Sequence, residues 1–232
     1  MLNGMSSRRL PALFLIVLTT ACAGPAATST GDTAMDDQLL AAAASGDVPA
    51  LAAALGGGAN VDARDATGRT ALLVATVAGN ADAVRELLAA DADVDLQDDQ
   101  MDNPFLYAGA EGMLDILRLV NEAGADPTIT NRFGGTALIP ASERGHVDVV
   151  RYLLNETDID VDHVNRLGWT ALLEAIVLGD GDAAHQEVVD LLIENGADVD
   201  LADKDGVRPL THARNRGQTE IARALEDAGA RP

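Results

Sequence analysis

One short pattern returns along the chain at a nearly fixed interval, and that interval restricts what the chain can fold into. Thr70-Ala71-Leu72, Asn103-Pro104-Phe105, Thr136-Ala137-Leu138, Thr170-Ala171-Leu172 and Arg208-Pro209-Leu210 follow one another at spacings of 33, 33, 34 and 38 residues. An alanine keeps step at Ala75, Ala108, Ala141, Ala175 and Ala213. A closing pair recurs as Gly58-Ala59, Asp91-Ala92, Gly124-Ala125, Gly196-Ala197 and Gly229-Ala230. The unit is clearest at residues 131–154, NRFGGTALIPASERGHVDVVRYLL. It reads as a turn, a short helix opened by Thr136, a break at Gly145-His146, and a second helix striped by Val149, Val150, Leu153 and Leu154. A single unit of this size cannot bury that stripe, so copies must stack and bury it jointly.

The local chemistry supports the division. Threonine ahead of the first helix can accept a hydrogen bond from a free backbone N–H at the helix start. The in-step alanines let paired helices approach closely, and glycine after the second helix supplies the left-handed residue that ends it. With these anchors in register, the chain resembles the ankyrin repeat family over about residues 36–230. The segments GGTALIPA at 134–141 and NRLGWTALLEA at 165–175 are also similar to bacterial exported ankyrin proteins. The resemblance implies an all-α repeat solenoid of helix-turn-helix units with short β-hairpin-like turns. It also implies that turn tips and first helices line a concave groove.

The expected domain is 36–232: an N-terminal partial cap at 36–64, then repeats at 65–97, 98–130, 131–164, 165–202 and 203–230. Terminal units are atypical because they close the stack. The second full repeat diverges most, with Asn103-Pro104-Phe105 and an acidic turn. The fourth carries an insertion at 180–184, expected to lengthen the turn between its helices.

Residues 1–21 read as an export signal. Arg8 and Arg9 precede an apolar run at 10–18, and small residues follow. The run is shorter than the roughly 20 residues that span a bilayer. Leu18-Thr19-Thr20-Ala21-Cys22 resembles a lipobox, which implies acylation of Cys22, the sole cysteine. Residues 22–35, rich in Ala, Thr, Ser, Gly and Pro, read as a spacer between a lipid anchor and the domain. The expected location is therefore exported, anchored to the cell membrane or on the periplasmic or outer-membrane side.

The chain has 37 acidic and 16 basic residues. Loss of Arg8 and Arg9 with the signal leaves 14 basic residues and a net charge of −23. Such a surface repels nucleic acid, which needs clustered Lys and Arg. No nucleophile motif, phosphate-binding glycine loop or helical His pair is present, so the sequence points to no enzyme, metal or cofactor. His146 and His185 sit where the family places a histidine that bonds backbone between helices. Asp91, Asp93, Asp95, Asp98 and Asp99, and Asp158, Asp160 and Asp162, form acidic clusters that read as solvated turns. A calcium-binding envelope protein is the alternative those clusters suggest, although calcium needs six to eight oxygens from a shaped loop.

The positive functional signal is a surface. Turns three and four place Arg132, Phe133, Arg166, Leu167 and Trp169 side by side in a chain with few aromatic residues. Arginine and aromatic residues are enriched among interface hot spots. The sequence thus reads as a monomeric scaffold that binds a protein partner across repeats two to four, tethered through Cys22.

Overall fold

The computed structural model describes residues 30–232, so the signal, Cys22 and most of the spacer lie outside the described residues. Twelve helices follow in six pairs: α1 (Thr30–Ser45) and α2 (Val48–Gly56), α3 (Ala71–Val77) and α4 (Ala81–Ala89), α5 (Pro104–Ala110) and α6 (Leu114–Glu122). The series continues with α7 (Leu138–Glu143) and α8 (Val147–Glu156), α9 (Ala171–Val177) and α10 (Ala183–Glu194), α11 (Pro209–Asn215) and α12 (Thr219–Asp227). Each first helix packs on the first helices before and after it, and each second helix on neighbouring second helices. The result is two helical layers with the apolar core between them. Ala75, Ala108, Ala141, Ala175 and Ala213 are all 0 % exposed, so the alanines expected at the close approaches are there.

The turn at the start of each full repeat closes in the same way. The amide of Asp65, Asp98, Asn131, Asn165 or Asp203 donates to the carbonyl four residues on, at 2.9–3.0 Å. The side-chain oxygen of the same residue accepts from the amides two and four residues on, as Asn131 does from Phe133 (2.9 Å) and Gly135 (3.1 Å). These hairpin-like tips are too short to form strands; among the described residues only Arg64 and Thr70 make a β-bridge. Burial works against the charge on Asp65, but hydrogen bonds from Thr67 and Arg69 outweigh it and hold its pKa at about 2.

A second set of aspartates ties repeat to repeat. Asp62 accepts from the amide of Asp93, Asp95 from Asp126, Asp162 from Asp198 and Asp200 from Arg231, all at 2.8–3.0 Å. Several carboxylates of the acidic clusters are therefore acceptors for backbone amides.

Three expectations need correction. Helix α1 begins at Thr30, inside the segment assigned to the spacer. The insertion in repeat four does not simply lengthen a turn. Asp182 caps α10 by accepting from the His185 amide, and Ala183 and Ala184 form the start of that helix. Finally, Thr136 does not cap its helix. Thr70, Asn103 and Thr170 accept from the amide three residues on, and their carbonyls accept from the amide four residues on. In repeat three that fourth residue is Pro140, which has no N–H. The Ile139 amide donates to the Thr136 carbonyl instead, at 3.2 Å, and α7 starts at Leu138. Pro140 then falls in the first turn, where a missing N–H costs nothing. The Thr136 hydroxyl is left buried without a partner.

Left-handed positions are filled by glycine at most tips and closures, with two exceptions. Asp91 has φ 59° where Gly58, Gly124, Gly196 and Gly229 stand in other units, and Met101 has φ 61° where the other tips have glycine. A side chain in this region costs about 1–2 kcal/mol. Glycine at either position should raise the urea midpoint, the gain being about 1 kcal/mol after the entropy glycine loses on folding. An unchanged or lowered midpoint for both Asp91→Gly and Met101→Gly would show that neither position is strained.

Candidate functional site

A concavity lies on the face made by first helices and turn tips of repeats two to four. It is a groove of about 370 Å³. Leu106 and Tyr107 of α5, Ile139 and Pro140 of α7, and Leu178 just after α9 provide apolar wall. Arg132, Phe133 and Leu167 border it from the tips. Asp102, Glu111, Glu143 and Glu174 contribute carboxyl groups, and Arg144 a second guanidinium.

The five tip residues singled out by sequence divide here. Arg132, Phe133 and Leu167 line the groove. The Arg132 guanidinium stands 4.7 Å from the centre of the Phe133 ring and donates to Gln100 Oε1 at 3.2 Å. Arg166 has a joining role: its Nη1 donates to the Arg132 carbonyl at 2.8 Å and its amide to the Phe133 carbonyl at 2.9 Å. Its stem covers Gly134, where a Cβ would come within 2.8 Å of Arg166 Cγ. Trp169 is half-buried and does not line the groove; its amide donates to Asn165 Oδ1 at 3.1 Å.

Most of the groove's charge comes from first helices and their ends, which tip-by-tip reading passes over. Arg144 is held by Glu111 and by the Ala110 carbonyl. Glu174 is 5 % exposed, and Asn165 Nδ2 donates to its Oε1 at 2.7 Å. Burial raises the Glu174 pKa to about 7, Glu143 nearby adds to the rise, and the Asn165 bond opposes it. Asp102 is also raised, by burial and then by the charge of Asp98. A sequence signal for Glu174 exists. The tip residue and the residue nine positions later face each other in two repeats, as Asn165 with Glu174 and Asp203 with His212 (2.8 Å). Where the later member is an acid the earlier is an amide, and where it is a base the earlier is an acid.

His185 ties repeat four to repeat three. His185 Nε2 bonds the Glu143 carbonyl at 2.9 Å, as expected, and Nδ1 bonds Asp182. Asn80 and Gln218 reach the preceding first helix in the same way. His146 differs from expectation: its ring packs over Gly112, and the corresponding Ala110 carbonyl is taken by Arg144. Among the described residues no group of three His, Cys, Asp or Glu side chains is arranged to hold a metal ion, and no helix is long and apolar enough to cross a membrane.

The raised Glu174 pKa has a definite sign for stability. Between about 4.5 and about 7 the folded chain holds a proton that the unfolded chain has released, so stability falls as pH rises through that window. Glu174→Gln keeps an acceptor for Asn165 and removes the charge. It should be more stable than the parent at pH 8, by up to about 3 kcal/mol at roughly 1.4 kcal/mol per pKa unit. The advantage should vanish below about pH 4.5. Urea midpoints measured at pH 4 and pH 8 check this, and an equal difference at both would refute it.

A model described as ankyrin repeats (3 copies) matches residues 39–131 and 105–202, and one described as ankyrin repeats (many copies) matches 181–226. The ankyrin repeat protein YahD of Escherichia coli (strain K12) is 48 % identical over 99 residues, which is 43 % of this chain and 49 % of that protein. This chain thus spans about half the length of that curated relative. An ankyrin repeat domain from Acinetobacter baumannii AYE is 53 % identical and superposes with a TM-score of 0.81, covering 83 % of this chain and 98 % of its own. The ankyrin repeat protein EF0377 is 38 % identical with a TM-score of 0.79, covering 82 % and 97 %. The fold, the tips and the matched residues agree, and the chain belongs to the ankyrin repeat family.

Proposed function

We propose that this protein is a non-enzymatic scaffold of the bacterial cell envelope that docks a protein partner in the groove of repeats two to four. One observation carries the reading. Phe133, Val164, Leu167 and Leu178 are the exposed large apolar side chains of the described residues, and three of them line that groove. Phe133 and Leu167 are 49 % and 45 % exposed. Apolar exposure gathered at one concavity, with charged groups around it, is the pattern of an interaction site. Glycines and backbone bonds fix the tips beneath it, so little ordering cost accompanies binding.

The tether rests on sequence. Arg8, Arg9, the apolar run at 10–18 and Cys22 form the export and acylation signal, and two or three acyl chains give a firm anchor. The same reading places the protein on the cell membrane or on the periplasmic or outer-membrane side, as a monomer.

Two experiments test these parts separately. A Phe133→Ala, Leu167→Ala variant with unchanged circular dichroism should bind a partner purified by affinity capture about 30-fold more weakly, corresponding to about 2 kcal/mol for hot-spot truncation. Equal affinity would move the site off this groove. Cys22→Ala should transfer the protein from the membrane pellet to the soluble fraction after cell lysis. Unchanged partition would overturn the anchor without touching the docking reading.

A further inference from the structure

The groove is apolar along its walls, yet its charges do not cancel. Arg144 is committed to Glu111 and the Ala110 carbonyl. Arg132 makes no ion pair within 4 Å among the described residues; it stands over Phe133 and against Gln100, and its charge acts on Asp102. Glu143 makes no ion pair among the described residues. Glu174 has Asn165 as its sole side-chain hydrogen-bond partner there, and that bond uses one carboxyl oxygen. The other oxygen belongs to a side chain that is 95 % buried yet lines the groove. The second oxygen is not sealed from solvent, so a carboxyl group in a largely buried setting keeps one oxygen open to an incoming donor.

We propose that the docked segment inserts a lysine or arginine side chain into this groove, its cationic head on the carboxyl groups of Glu143 and Glu174 and an adjacent apolar residue against Phe133 and Leu167. This rests on the docking reading above and adds the chemistry of the occupant. The fit is twofold. The methylene stem of a basic side chain packs on Leu106, Ile139 and Pro140 while its head stays with the carboxylates. The Tyr107 ring offers a second contact for the cation. A bare metal ion would find no apolar use for these walls, and the carboxylates are not arranged to coordinate one. An acidic segment would be repelled by Glu143 and Glu174.

The charged groups around Glu174 set the pH behaviour. Glu143 of α7 acts directly on Glu174, and Arg144 just after α7, Glu111 just after α5, and Asp102 and Arg132 of the tips line the same groove. On the α11 side, His212 is occupied by Asp203. Binding a cation favours the ionised carboxylate, so affinity should rise with pH up to about 7.

The test selects a random twelve-residue peptide display library on the intact chain in 150 mM salt. Peptides that fail to bind the Phe133→Ala, Leu167→Ala variant are retained as groove-dependent. They should share one lysine or arginine beside an apolar residue. Replacing that residue by norleucine should weaken binding at least tenfold. Glu143→Gln with Glu174→Gln should weaken the parent peptide as much, leave the norleucine peptide nearly unaffected and flatten the pH dependence. Asp115→Asn with Glu122→Gln, exposed acids of α6, should change nothing, which separates the groove from the general acidity of the chain. Groove-dependent peptides that lack a basic residue, or that ignore the Glu143 and Glu174 substitutions, would overturn the proposal and leave the docking reading standing. Recovery of no groove-dependent peptide would overturn both.

Discussion

Each full repeat rests on one side-chain oxygen at its first position. Asp65, Asp98, Asn131, Asn165 and Asp203 each accept two amides of their own tip. Without that acceptor the tip's backbone donors would have no protein partner, and an unpaired polar group costs roughly 1–3 kcal/mol once water is excluded. The tips in turn set where each first helix begins, and stacked first helices form the floor of the groove. A few short bonds, repeated, therefore carry the geometry of a surface that spans three repeats.

The same acceptors explain much of the chain's acidity. One aspartate of each closing Asp-Val-Asp accepts an amide within its own repeat, and another reaches into the next. A carboxylate is a strong acceptor for backbone N–H groups and presents no competing donor when ionised. A net charge of −21 is thus partly the sum of many local structural needs. Other acids, such as Asp115 and Glu122, face solvent, and Glu143 and Glu174 stand out because they lie in a groove.

Periodicity made the architecture legible before any coordinates. The recurring alanines and closing pairs take the places their spacing implies, and so do the helix openings in every full repeat but the third. What escaped was set by contacts a periodic reading averages away. Residues 131–154 look like the clearest unit, yet Pro140 displaces the start of α7 and strands the Thr136 hydroxyl. Arg166 and Trp169 sit in a promising turn, but one clasps the neighbouring tip and the other stays beside its own. The nine-residue spacing pairs Glu174 with Asn165, but its raised pKa also depends on burial and on Glu143 from another repeat, which no spacing shows. Residues in step with the repeat encode the scaffold; the exceptions make its surface particular.

Asp91 and Met101 place both non-glycine left-handed residues of the described chain between α4 and α5. In a stack where each unit touches chiefly its neighbours, cohesion is local and a weakened joint acts as a fracture line. All the groove's residues, from Asp102 to Leu178, lie on the C-terminal side of that line. Tension applied through the N-terminus, the end that the proposed tether would hold, would shed the first units as a block. The binding face would stay whole while the distance between it and the membrane grew.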